Sequence, residues 1–164
     1  MIIRDELPGD AAAIFEITQA AFAPMPFSSG TEGPIIDRLR EDGDLAISLV
    51  AEDAGEIVGH IAFSPVSVAG ETEGLYGLGP VCAAPSRKHS GIGTALIERG
   101  LSRLRAMDAR AVFLVGDPNY YSRFGFVGDC GLSHGSVPAR AVQGLWLNGR
   151  ARRGEITYAL AFGR

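Results

Sequence analysis

Lys88-His89-Ser90-Gly91-Ile92-Gly93-Thr94-Ala95-Leu96-Ile97 sits between two apolar runs of different period. The run before it, Leu75 to Ala84, is nearly all apolar, which predicts a central strand buried on both faces. The run after it places Ile92, Leu96, Leu101 and Leu104 at helical spacing, with Met107 ending the same stripe. It predicts a helix from Gly91 to Met107. Ala111 to Val115 is another buried strand. Strand, glycine turn, helix, strand is a β-α-β unit, so the two strands should be parallel with a right-handed crossover. The first N–H groups of a helix have no partner inside it and point outward, where an anion can meet them. Glycine at 91 and 93 lets a phosphate approach with no Cβ in the way. The helix dipole adds ~0.3–1 kcal/mol at an exposed site. Arg87 and Lys88 flank the turn and can pair with further phosphates. The turn lacks the Gly-Lys-Ser/Thr ending of a P-loop, and Leu96 stands where a dinucleotide fingerprint has its third glycine.

Upstream, Met1 to Arg4 reads as a short strand and Asp10 as the cap of a helix through Ile14, Ile17 and Phe22, ended by Pro24-Met25-Pro26. Thr31 to Glu41 is a second helix with Ile35, Ile36 and Leu39 inward. Leu45 to Glu52 and Glu56 to Val68 form a hairpin about Asp53-Ala54-Gly55. Downstream, Asp117-Pro118 starts a short helix closed by Gly125. A strand is expected near Gln143 to Leu147, and another over Ile156 to Phe162 to close the sheet.

The chain has 164 residues, the length of one domain, residues 1–164. Its 46% apolar and 21% charged residues fit a globular protein and exclude a disordered tail or a coiled coil. Fifteen basic against nineteen acidic residues, a net charge of −4, argue against a general nucleic-acid binder. Cys82 and Cys130 form no Cys-x-x-Cys pair and the three histidines lie at no zinc-ligand spacing from them, so neither a disulfide framework nor a metal is expected. Acids at the N-terminus do not fit a signal peptide, and no apolar run reaches the ~20 residues of a membrane span. The expectation is a reduced, cytoplasmic protein without membrane contact.

Two segments together resemble a known family. The Lys88 to Gly93 turn is similar to motif A of the GNAT acetyltransferases, Gln/Arg-x-x-Gly-x-Gly/Ala, with Lys88 at the Gln/Arg position. Gly116-Asp-Pro-Asn-Tyr-Tyr-Ser-Arg-Phe-Gly-Phe126 resembles the family's Tyr-x-x-x-Gly-Phe motif, in the form of its bacterial YhbS-type branch. Gly79-Pro-Val-Cys-Ala-Ala-Pro85 looks like the family's fourth strand. The resemblance spans essentially the whole chain. It implies an α/β GNAT-like fold, a central mixed six- or seven-stranded sheet flanked by about four helices.

It further implies acetyl transfer from acetyl-coenzyme A to a primary amine, by direct attack with both substrates bound. The cofactor would lie against Val81, Cys82 and Ala83, with Arg87, Lys88, His89, Ser90, Gly91, Ile92, Gly93 and Thr94 around its diphosphate. A backbone N–H near Val81 or Cys82 would face the thioester oxygen, and the fourth strand would splay from the one at Ala111 to Val115. Tyr121, by its spacing to Gly125-Phe126, would give a proton to the leaving thiolate and also touch the cofactor. A phenol, with a pKa of ~10, is protonated at neutral pH.

No residue announces itself as the base that relieves the amine of its proton. Glu73 and Glu32 are the candidates, each also readable as a solvated or capping carboxylate. His60 reads as a satisfied sheet histidine, His89 as exposed, Cys82 as a small buried hydrophobe. Nothing visibly orients a cysteine–histidine pair for hydrolysis. Arg140, Arg150, Arg152 and Arg153 read as a solvated basic loop. The acceptor, a small-molecule or peptide amine, would be met by the segments Phe22 to Ile36 and Gly128 to Gly154, and the family suggests a homodimer. The rival readings are a non-catalytic acyl-coenzyme A binding or sensing domain and a nucleotide-binding module on the same glycines.

Overall fold

The computed structural model describes residues 1–163. Nine strands and four helices are present among them: β1 (Ile2–Asp5), α1 (Ala11–Phe22), α2 (Glu32–Asp42), β2 (Ile47–Asp53), β3 (Glu56–Pro65), β4 (Ser67–Val68), β5 (Leu75–Ala83), α3 (Ile92–Ala106), β6 (Ala111–Val115), α4 (Pro118–Tyr121), β7 (Leu132–Ser133), β8 (Val142–Trp146) and β9 (Gly154–Thr157). Six of the strands form one mixed sheet in the order β1-β2-β3-β5-β6-β8. Every neighbouring pair is antiparallel except β5 and β6, which are parallel and joined through α3. The expected β-α-β unit is therefore in place.

Helix α3 covers one face of the sheet. Leu96, Ile97, Leu101 and Leu104 pack on Leu49, Ile61 and Phe63. Gly100 sets the approach distance: a Cβ there would lie 2.3 Å from the Phe63 ring. The helix stops at Ala106, so Met107, expected inward, is 48% exposed. On the opposite face α1 and α2 close over Val50 through Ile14 and Ile36.

The rest of that face is covered by a second, three-stranded sheet, β4-β9-β7. Here the structure corrects two expectations. The run from Glu56 to Val68 is not one strand: after Pro65 the chain leaves the main sheet and β4 pairs with β9. Residues 156–162 do not close the main sheet either, because β8 already pairs with all five residues of β6. The chain turns after Thr157 into a short 3-10 turn at Leu160–Phe162. Val66, Val68, Phe113, Leu132 and Ile156 form the core between the two sheets. Arg152 is no solvated loop residue; it is 3% exposed and bonds Glu71 Oε1 and the Arg150 carbonyl.

One feature of the main sheet positions the site. Strand β5 keeps its pairing with β3 out to Ala83, but it pairs with β6 only over Leu75–Gly77. Gly79, at φ 135°, and Pro80, which has no N–H to give, break the ladder. Beyond them the two strands part. The second half of β5 is thus half-exposed at Gly79, Pro80 and Val81, not buried on both faces as its composition suggests.

Candidate active site

The start of α3 lies where β5 and β6 separate. Gly91 is its N-cap residue, at φ 83°, a left-handed conformation that glycine adopts without steric cost. No side chain caps the helix. The N–H groups of Ile92, Gly93 and Thr94 are therefore left for a ligand. A Cβ on Gly91 would meet nothing within 4 Å, and one on Gly93 only the Tyr120 hydroxyl at 3.8 Å. The glycines front open space, which fits a phosphate cradle.

That space is a cleft of about 530 Å³. All eleven residues expected along the cofactor in β5 and the turn, Val81–Ala83 and Arg87–Thr94, line it together. The β-ladder also distinguishes Val81 from Cys82. Ala84 N–H donates to the Val58 carbonyl at 2.8 Å. Backbone groups alternate edges along a strand, so Cys82 N–H also points to β3, while those of Val81 and Ala83 point into the gap.

Five cleft residues were not assigned to the cofactor from the sequence: Ala21, Phe22, Met25, Tyr120 and Arg123. Phe22 and Met25, at the end of α1 and just past it, form one wall. Tyr120 and Arg123 form another: the Tyr120 hydroxyl lies 3.0 Å from Thr94 Oγ1, and the Arg123 guanidinium stacks 4.4 Å from the Tyr120 ring centroid. The Asp-Pro helix start was the available signal, since it fixes which face of α4 turns to the glycines. No residue of 128–154 lines this cleft.

Tyr121 stands behind Tyr120, edge-on to it with ring centroids 5.0 Å apart. Its ring packs on Phe126 and fills the place a Cβ on Gly116 would take, 2.7 Å away. Its hydroxyl makes no hydrogen bond with any described residue. Burial, then the neighbouring Tyr120 and Asp117, push its pKa up to about 12, so it holds its proton.

The two carboxylate candidates are not brought to the cleft. Glu73 precedes β5 at the end away from the turn, about 25 Å from Val81 at ~3.3 Å per residue. Its side chain is 84% exposed and faces Arg110 at 3.7 Å. Glu32 accepts a hydrogen bond from Ser28 at 2.6 Å, fastening the loop before α2. Cys82 is a buried thiol beside Thr18 Oγ1 at 3.7 Å, and burial pushes its pKa up to about 11, which makes it a poor nucleophile.

His60 is buried at 1% exposure and only half satisfied. Nε2 lies 2.7 Å from Ser48 Oγ, and Nδ1 has no partner among the described residues. Burial lowers its pKa from 6.5 to about 4. An unfolded chain takes up this proton near 6.5 and the folded chain only near 4. Stability is therefore full above about pH 6.5 and is lost as pH falls toward 4, by roughly 3 kcal/mol from this group. Urea titrations at pH 7 and pH 4 should show the loss, and His60→Gln should remove it. An unchanged pH dependence in that variant would refute the assignment.

The sequence profile of the acetyltransferase (GNAT) family matches residues 12–126. The uncharacterised N-acetyltransferase YhbS of Escherichia coli is 39% identical over 127 residues, 77% of this chain and 73% of that protein. A GNAT acetyltransferase of Brucella melitensis, solved in complex with acetyl-CoA, superposes with a TM-score of 0.88 at 44% identity, covering 98% of this chain and 97% of that one. The structure of E. coli YhbS in complex with CoA superposes with a TM-score of 0.90 at 33% identity, covering 99% and 92%. The chain belongs to the GNAT acetyltransferase family, in its YhbS-type branch.

Proposed function

We propose that this protein moves an acetyl group from acetyl-coenzyme A to a primary amine by direct attack, with both substrates bound at once. The observation that carries the reading is the uncapped start of α3, two glycines facing open space, set where β5 and β6 part. The relatives solved with acetyl-CoA and with CoA support it.

The N–H groups of Ile92, Gly93 and Thr94 would hold the diphosphate, with Arg87 and Lys88 adding charge at the rim. Arg87 is steadied by Asp53, 2.7 Å away. The Val81–Ala83 edge offers its free backbone groups to the amide-bearing arm, as a paired strand would. The bound cofactor supplies an activated acetyl thioester. Val81 N–H is the donor aimed where negative charge grows on the thioester oxygen. Tyr121 is the acid for the departing sulfur. Its high pKa suits it to donate to a thiolate and to stay neutral otherwise. Phe22 and Met25 form the apolar wall past which the amine arrives.

A ligand at ~100 times its dissociation constant stabilises a protein by ~2.7 kcal/mol. For a chain of this length that is roughly 5–10 °C in Tm. Acetyl-coenzyme A and coenzyme A should both give such a shift, and ATP and NAD should not. Thiol release from acetyl-coenzyme A with a panel of primary amines then tests the transfer. Binding of the coenzyme with no transfer to any amine would leave only a binding domain, and no shift from apo protein would remove the site.

A further inference from the structure

The reaction has a proton to dispose of, and neither Glu73 nor Glu32 stands where it could take it. An ammonium R–NH3+ that becomes an N-acetyl amide gives up two protons. As the N–C bond forms and the C–S bond breaks, one proton balances the departing thiolate and the other must leave.

One strand in from Ser48, on the face covered by α1 and α2, lies an unused proton acceptor. His60 is in register with Cys82 across β3 and β5. The Ala84–Val58 bond two residues on makes them a hydrogen-bonded pair, with Cα atoms ~5.5 Å apart and side chains on the same face. Cys82 lines the cofactor cleft, so His60 is one residue removed from it.

The protons on the other side of the ring can be placed. Ser48 Oγ lies 2.7 Å from both Glu6 Oε1 and His60 Nε2. Although burial opposes its charge, Glu6 is held below the usual carboxylate range by Arg40, which binds both its oxygens, and by Ser48. Glu6 is therefore an anion, and the single Ser48 proton goes to it. Ser48 must then accept from His60, whose proton sits on Nε2. Nδ1 is left as a bare lone pair, fully buried and without a partner among the described residues. This is a Glu–Ser–His chain with its basic nitrogen turned inward.

We propose that His60 Nδ1 accepts the second proton of the acceptor amine, through one water beside Cys82 and Thr18, and that Ser48 and Glu6 are positioning residues that hold the tautomer and balance the imidazolium. This rests on the acetyl-transfer reading. The charged groups around the ring are Glu6 after β1 and Arg40 on α2, with Asp37 on Arg40, and Asp5 and Arg103 further out in the second cleft that Glu6 and Ser48 share. Thr18 on α1 and Cys82 on β5 are uncharged. Glu6 is thus the anion nearest the charge that forms. A weakly basic imidazole suffices, because the nitrogen becomes a far stronger acid as it bonds to the acyl carbon. The proton returns to water once the product has left.

Two measurements test this. The first is the nitrogen NMR spectrum of the 15N-labelled wild-type protein at pH 7, which needs no acceptor. A neutral ring protonated on Nε2 is expected; an Nδ1–H tautomer or an imidazolium overturns the proposal whether or not any amine is acetylated. The second uses the best amine of the panel. His60→Gln, which can still bond Ser48, should lower kcat about 100-fold at pH 7 with KM for acetyl-coenzyme A unchanged. Its kcat should recover about tenfold per pH unit toward pH 9, where hydroxide takes the proton, while wild type stays flat. Ser48→Ala should reproduce the pH dependence in weaker form, and Ser48→Thr should restore wild-type behaviour. An equal loss at every pH, or a loss confined to KM, marks a structural role and overturns the proposal. A wild-type protein that acetylates no amine fails the transfer reading instead, and the NMR result still decides the ring.

Discussion

Tyr121→Phe is expected to lower kcat by about 10²- to 10⁴-fold, the range a positioned general acid contributes, with affinity for acetyl-coenzyme A changed little. The substitution isolates the hydroxyl. The ring remains to pack on Phe126 and to fill the space beside Gly116, and the hydroxyl removed has no hydrogen-bond partner among the described residues. Stability should therefore hold while turnover collapses. Tyr120→Phe is the matching control. Its hydroxyl is bonded to Thr94 at the glycine turn, so its loss should be read in cofactor affinity before kcat. Turnover unchanged in Tyr121→Phe, with the chemical step shown to be rate-limiting, would take the acid role from Tyr121.

Gly93→Leu is expected to weaken acetyl-coenzyme A binding by at least about 100-fold while the fold persists. Each charge-assisted hydrogen bond from a backbone N–H is worth ~1.5–3 kcal/mol, and a side chain at 93 stands off the phosphate from at least two of them. The position is a cleaner probe than Gly91. Gly91 has a positive φ, so any side chain there also strains the backbone. Gly93 lies inside α3 with ordinary helical geometry, and leucine there should raise helix propensity by up to ~1 kcal/mol. Calorimetric titration beside a melting curve separates the two effects. A variant that melts at or above wild type yet binds acetyl-coenzyme A normally would place the diphosphate elsewhere.

The parts of the molecule legible in the sequence are those fixed by local pattern. The apolar run of β5, the glycine turn and the stripe of α3 carry their own periods, and these residues do form one side of one cleft. Tyr120 and Tyr121 show the limit: two adjacent phenols, one bonded to Thr94 at the glycine turn and one wedged behind it, separated by which face of a four-residue helix meets Gly116 and Gly93. Glu73 lies outside the cleft for a reason the sequence already held, since it precedes β5 and the glycine turn follows the strand's far end. His60 was legible as a buried histidine, but its bare Nδ1 depends on Ser48 and Glu6, 12 and 42 residues apart from their partners in the bonds that fix it. The second sheet was missed because its strands are two to four residues long, too short to show alternation.

That small sheet has a consequence for how the chain is made. β4 pairs with β9, Val68 lying opposite Ile156, so the two partners leave the ribosome about ninety residues apart. At ~5–20 residues per second, roughly 5–20 seconds pass between them. During that interval Val66, Val68 and Leu75, all buried in the finished protein, have no Ile156 to cover them, and Leu132 joins only late in it. The half that carries the glycine turn can assemble early from neighbouring segments, but the nascent chain stays sticky along one face until β9 arrives. Apolar surface left open for such an interval is what makes a nascent chain prone to aggregate.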